Sequence, residues 1–217
     1  DVKQIVTAMV GEVPKHEVLI PLAEAVAAFG LSKAHFERLI EAREADLEET
    51  APPDLAALET YAEGTAAPLQ LLALEAVGVR DADTAEAARR VAVATALTGL
   101  LRAVPFHARQ RRVYLPTAVV EEVAVELGDL FELRPHVGLA KAVERLAGRA
   151  RAVLGDARAL QGSVPRPALP ALLPAVLASH YLEAMRRAAH DVFDGRVQRR
   201  PPWVAWSLAW HAARGRY

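Results

Sequence analysis

The chain has 217 residues, 53% of them hydrophobic and 24% charged, which excludes a disordered polymer and suits one domain with a sizeable core. Its 26 basic and 27 acidic residues leave a formal net charge of -1, which argues against nucleic acid as a partner, since a general nucleic-acid binder is strongly basic. No cysteine is present, so disulfides, thiolate catalysis and cysteine-held zinc or iron–sulfur clusters are excluded.

Ala and Leu, the best helix formers, dominate the apolar set, and a helical period with no sustained alternation predicts an all-helical protein. Residues 2–10 read as a helix end closed by Gly11, with no cap and no signal or transit peptide, so a fragment lacking a targeting sequence and one or two helices is expected. A helix starting near Pro21 should stop at Gly30. Ser32 should cap a helix over 33–49, with Phe36, Leu39, Ile40 and Leu47 on one stripe. Pro52, Pro53 and Asp54 break and cap the chain before a helix over 55–77, which Gly64 and Pro68 should kink and Gly78 should end. Thr84 should cap a helix over 85–104, nearly apolar through 91–101 and therefore central, which Pro105 ends or kinks. An extended stretch, 113–116, follows. A short helix over 117–127 comes next, then a long one over 136–160 with Leu139, Val143, Leu146, Ala150, Val153 and Leu154 inward. Pro165, Pro167, Pro170 and Pro174 mark a bent approach to a helix ending near Phe193, and Pro201-Pro202 start the last, 203–213. About eight helices in a single-domain bundle spanning 1–217 is the expectation. No apolar run reaches the roughly 18–20 residues a membrane span needs; the run over 69–79 is short and Glu75 interrupts it.

Chemistry is sparse. Glu41, Glu44, Asp46, Glu48 and Glu49 form an acidic stretch in which Glu41, Glu44 and Glu48 share a face; it reads as a Mg²⁺ site or, in preference, as a solvated face. His16, His35, His107, His136, His180, His190 and His211 are scattered without a zinc-binding spacing, and no metal or cofactor is expected. Ser32, Ser163, Ser179 and Ser207 sit in no nucleophile elbow, and the glycines form no phosphate loop. Arg102, Arg109, Arg111 and Arg112 cluster, as a diphosphate clamp or, in preference, as surface ion pairs. Trp203, Trp206 and Trp210 fall on one helix face beside Arg199 and Arg200, either as a membrane or partner surface or, in preference, as core residues of the terminal helix.

Two segments resemble a known family. Residues 96–107, followed by Arg112-Val113-Tyr114-Leu115-Pro116, are similar to the second aspartate-rich segment of squalene and phytoene synthases, and Tyr61-Ala62-Glu63-Gly64-Thr65-Ala66 to another conserved stretch of that family. The resemblance is closer, over nearly the whole length, to one branch, the mitochondrial assembly factors of respiratory complex I. It runs through Arg43-Glu44-Ala45-Asp46-Leu47 and residues 58–65 and 100–107 to Trp210 and Tyr217. The resemblance implies the isoprenoid-synthase helical bundle, with Tyr61, Arg102, His107, Arg112 and Tyr114 at motif positions around a central cleft.

It also implies a loss. Where family members hold Mg²⁺ with aspartates, Ala103 and His107 stand here, and Phe106 replaces the acidic residue before the last. A methyl group cannot ligate a hard cation and imidazole ligates Mg²⁺ poorly, so the ionisation of an allylic diphosphate loses its main support. The first aspartate motif would lie before Asp1. The implied protein is a pseudo-enzyme without cofactor that assists complex I assembly on the matrix side of the inner membrane. Its partners would be proteins of an assembly intermediate, with peripheral membrane contact and a lipid in the cleft. The alternatives are a structural subunit of a larger mitochondrial complex, respiratory or ribosomal, and an active prenyl transferase condensing isoprenoid diphosphates.

Overall fold

The structure, a computed structural model, describes residues 17–48 and 50–217. The helix end expected over 2–10 with Gly11, His16 and Glu49 lie outside the described residues. The described residues contain no strand; seven helices of eleven residues or more and four short ones make the fold, as an all-helical sequence predicts.

Helix α1, Leu19–Phe29, ends at Gly30, whose φ of 60° is the left-handed cap that glycine adopts without strain. Helix α2, Lys33–Glu44, starts after Ser32 as expected, but the Ser32 hydroxyl does not cap it. That hydroxyl and the Ser32 N–H both donate to the Glu75 carboxylate, tying the start of α2 to the next helix. The helix over 33–49 is shorter than expected: after Glu44 the chain tightens into a 3₁₀ turn, Ala45–Leu47. This turn breaks the apolar stripe, and Leu47 is 83% exposed.

Helix α3, Leu55–Ala76, is capped by Asp54, whose carboxylate accepts the Ala57 N–H at 2.8 Å. It runs unbroken through Gly64 and Pro68. Gly64 marks a close helix crossing, because a Cβ there would lie 2.8 Å from the Ala42 Cβ of α2. Helix α4, Ala82–Arg109, begins three residues before the expected start. Its cap is Asp81, which accepts the Thr84 N–H at 2.8 Å; Thr84 is the capped residue and lies buried in the first turn. Pro105 does not end α4, because buried Leu101, Val104 and Ala108 hold the last turns against the core.

The helix expected over 117–127 is two, α5, Thr117–Glu122, and α6, Leu127–Phe131, separated by Ala124 with a φ of 50°. Helix α7, Val137–Ala159, is capped by His136, whose Nδ1 accepts the Leu139 N–H at 3.3 Å, and buries all six side chains expected inward. The proline-marked approach is a 3₁₀ turn, then α8, Leu169–Leu172, and α9, Pro174–Arg187. Helix α9 ends before Phe193 because Ala189 and His190 take positive φ. A single turn, α10, Gly195–Gln198, leads to α11, Val204–Arg214.

Helix α4 is the centre: α3, α7 and α9 pack on it, and α2 packs on the outer face of α3. The core is largely Ala, Val and Leu, including Leu58, Val91, Leu97, Leu101, Val143 and Leu146, all fully buried. Small Ala contacts let the long helices approach closely. Two stretches, Ala82–Arg109 and Arg166–Arg187, nevertheless hold windows apolar enough to cross a membrane by length and composition. Dispersed alanines raise their hydropathy without a continuous run, and half or more of each window is buried inside the fold.

Candidate functional site

Four of the predicted cleft residues meet where α3, the end of α4 and the loop after it converge. Along α4, Ala92, Ala96, Gly99 and Ala103 recur at four- and three-residue steps and so share a face. With Thr65, Ala66 and Leu69 of α3 opposite, this small-residue face leaves a cavity of about 410 Å³, with Arg43, Tyr61 and His107 among its lining. Tyr61 also lines a smaller cavity of about 180 Å³, bounded by Asp46, Pro52, Pro53, Arg112 and Tyr114. Its walls are joined by the Thr117 and Ala118 N–H groups, which donate to the Pro52 and Pro53 carbonyls at 2.9 and 3.0 Å.

The polar centre is Asp46. The Tyr61 hydroxyl donates to it at 2.6 Å, and Arg43 donates to its second oxygen at 2.9 Å. Burial opposes the charge on Asp46, but these hydrogen bonds and the fields of Arg43 and Arg112 hold its carboxyl below the usual range. Burial and the bond to Asp46 push the Tyr61 phenol up. The Tyr114 ring lies 6.0 Å from Tyr61 and 4.5 Å from His107. Burial, then the Arg112 cation, keeps the His107 imidazole below its ordinary value, so it is neutral at pH 7. The His107 Nδ1 and the Thr95 hydroxyl are buried polar atoms without a hydrogen-bond partner among the described residues.

Arg102 does not join this group. Its guanidinium donates to the carbonyls of Val197 and Gln198, both at 3.2 Å, and stacks 3.5 Å from the centre of the Tyr181 ring. Arg109 is exposed, and Arg111, at a φ of 55°, lies over Phe131. The four arginines therefore do not form a diphosphate clamp, because α4 ends at Arg109 and the chain reverses just beyond it. On the acidic stretch Glu41, Glu44 and Glu48 are exposed, as a solvated face requires. Among the described residues of the stretch only Asp46 turns inward, a role the sequence did not single out; nothing in its spacing points to Tyr61, fifteen residues away. Glu75, which the sequence marks only as a break in an apolar run, is a second such residue: it is 8% exposed and bound by Ser32 and Arg80. A lone carboxylate within an apolar run was its signal.

Trp203, Trp206 and Trp210 are 57%, 81% and 58% exposed, so they are not core residues. Arg199 and Arg200 lie beside Trp203.

The fit of this site to magnesium and diphosphate can be judged from its donors. Ala103 and His107 line the large cavity at the positions the resemblance assigns to aspartates, and Phe106 is 59% exposed. Asp46 is engaged by Tyr61 and Arg43, and among the described residues no three acidic or histidine side chains converge. A methyl, a neutral imidazole and an engaged carboxylate do not fit a hard cation.

A helical bundle around an apolar cleft, with Tyr61 and residues 112–116 at its polar end, defines a class. The sequence profile of squalene/phytoene synthases matches residues 2–207, and the chain belongs to that family. It is 33% identical over 216 residues to mouse "NADH dehydrogenase (ubiquinone) complex I, assembly factor 6", covering 99% of this chain and 65% of that protein. The protein of Dictyostelium discoideum named as the homolog of that assembly factor is 27% identical, over 80% of this chain and 49% of its own length. A presqualene diphosphate synthase of Rhodopseudomonas palustris is 26% identical over 75% of this chain and 58% of its own. The chain thus spans less than two thirds of these curated relatives. Among solved structures, a dehydrosqualene synthase with bound ligand superposes with a TM-score of 0.83 at 21% identity, over 98% of this chain and 75% of that one. Squalene synthase HpnC from Alicyclobacillus acidocaldarius gives 0.77 at 24%, over 87% and 72%. These likenesses establish the synthase fold.

Proposed function

We propose that the protein is a non-catalytic member of the synthase family, folded as one synthase-type domain, that assists assembly of mitochondrial respiratory complex I. The observation that carries this is the 33% identity to assembly factor 6 along 99% of the chain. The donor set at the old metal position supports it: Ala103 and His107 line the cleft where a diphosphate-handling enzyme needs carboxylates. The reading places the protein on the matrix side of the inner membrane, in peripheral contact with it and bound to proteins of an assembly intermediate. The apolar cavity beneath Tyr61, His107, Arg112 and Tyr114 is read as a relic that still accepts a lipid chain.

Deleting the gene in its native organism should lower complex I activity and assembled complex I on native gels while the other respiratory complexes stay normal. Normal complex I in the deletion strain overturns the proposal. The likeness to a presqualene diphosphate synthase favours a second reading, an active condensing enzyme. The full-length protein with Mg²⁺ and farnesyl diphosphate should release no pyrophosphate; steady release establishes the second reading instead.

A further inference from the structure

Helix α11 and the residue that precedes it leave three indoles in the open. Trp203, Trp206 and Trp210, at three- and four-residue steps, are each more than half exposed. An indole carries some of the largest apolar area of any side chain, so the face presents on the order of several hundred Å² of apolar surface. This is not a frayed end. The flank of α11 beside the stripe is docked: Val204 is 3% exposed, and the Ser207 hydroxyl lies 2.9 Å from His180 Nε2. Beyond the helix, Gln161 donates to the Gly215 carbonyl at 2.7 Å, and the buried Tyr217 donates its hydroxyl to Ala157 at 2.7 Å. The stripe is thus held outward by a fixed helix.

The charge around it is mostly positive, and the nearby carboxylates Glu183 and Asp194 are both engaged by arginines. Residues 195–217 contain five arginines and no aspartate or glutamate. Arg196 is held by Asp194 at 2.6 Å, and Arg214 stacks 4.0 Å over Trp210. Arg199 and Arg200 have no ion-pair partner among the described residues. They line a cavity of about 450 Å³ with Arg187, Arg196, Trp203 and Glu183, the last already paired with Arg186 and Arg187. Cations therefore flank the indoles at both ends of the helix.

We propose that α11 is an interfacial membrane anchor, its tryptophan face embedded at the headgroup–acyl boundary of a bilayer and Arg199 and Arg200 bound to the phosphates of anionic phospholipid. Indoles prefer that boundary because the ring is apolar and its N–H is polar, and guanidinium groups pair with phosphate oxygens. Eleven residues rise only about 16 Å, too short to cross a bilayer and suited to lying along its surface. The inference rests on the peripheral placement in the proposed function and supplies its contact residues.

The chain's three tryptophans are all in this stripe, so intrinsic tryptophan fluorescence reads this surface alone. The purified chain is titrated with vesicles of two parts phosphatidylcholine to one part phosphatidylglycerol, with pure phosphatidylcholine vesicles and with inorganic phosphate. The anionic vesicles should move the emission to shorter wavelength and carry the protein into the pellet; the other two should do neither. R199Q/R200Q should weaken partition on the order of thirtyfold, as should raised salt. W206S/W210S should abolish co-sedimentation with an unchanged circular-dichroism melt, since both side chains are exposed. Absence of a shift with anionic vesicles, equal binding to neutral ones, a shift with phosphate alone, or full binding by W206S/W210S each overturns the anchor; the first is the outcome expected if α11 docks on an acidic protein. Vesicle binding needs no complex I, so its failure leaves the assembly role standing, and normal complex I in the deletion strain leaves the anchor standing.

Discussion

At His107 the polypeptide keeps a neutral imidazole in a wall where burial and the Arg112 cation both oppose a proton. The folded chain therefore takes up this proton at lower pH than the unfolded chain does. Its contribution to stability is complete above the ordinary imidazole value of about 6.5 and is lost as pH falls below it. His180 and His190, lowered first by burial, act in the same direction. The melting temperature should be flat from pH 8 to 7 and decline below about 6.5, with a shallower decline in His107→Gln. A second loss should follow below about pH 4.5: burial opposes the Glu75 charge, but the Ser32 hydrogen bonds and Arg80 hold its carboxyl low, and protonation removes that stabilisation. Tyr61→Phe deletes the 2.6 Å bond to Asp46 while leaving Arg43 in place, and should cost about 1 kcal/mol in urea unfolding. Asp46→Ala strands a half-buried phenol as well and should cost more, roughly 1–3 kcal/mol.

Among the elements, α4 depends on its cap and α3 on its thinness. Asp81→Ala leaves the Thr84 N–H of a 28-residue central helix without its partner and should lower stability by about 1 kcal/mol. At Gly64 the crossing of α2 over α3 leaves no room for a side chain, since the Ala42 Cβ stands only 2.8 Å from where a Cβ would sit. Gly64→Leu should therefore lift α2 away, destabilise by roughly 1–3 kcal/mol and speed proteolysis within 33–48, while the α4–α7 core keeps its protection. The same residue read from sequence alone suggests a kink, because glycine's low helix propensity is visible in one dimension and a crossing is not. Leu146, fully buried on α7, is the counter-case: periodicity places it inward, and Leu146→Ala should cost about 2–5 kcal/mol.

Across the whole molecule, Arg102 links the central helix to the C-terminal segment. Its bonds to the Val197 and Gln198 carbonyls and its stack on Tyr181 join α4, α9 and α10, and Gln198 returns a bond to the Arg102 carbonyl at 3.1 Å. Arg102→Met should leave the global melt nearly intact and raise amide exchange selectively in residues 192–217, the segment that carries the tryptophan face. Exchange unchanged there would show that Tyr217 and Gln161 hold the segment without it.

Helix identity, the inward stripe of α7, the central place of α4 and the convergence of Tyr61, His107, Arg112 and Tyr114 could all be read before any coordinates. The first three rest on short-range periodicity, and the last is what the resemblance to the synthase family implies. The tertiary structure alone decided that Arg102 faces away from the cleft, that Asp46 closes it by bonding Tyr61, and that the three tryptophans lie in the open. Two helices can have the same apolar pattern and bury opposite faces, because which face is covered depends on what the rest of the chain leaves beside it.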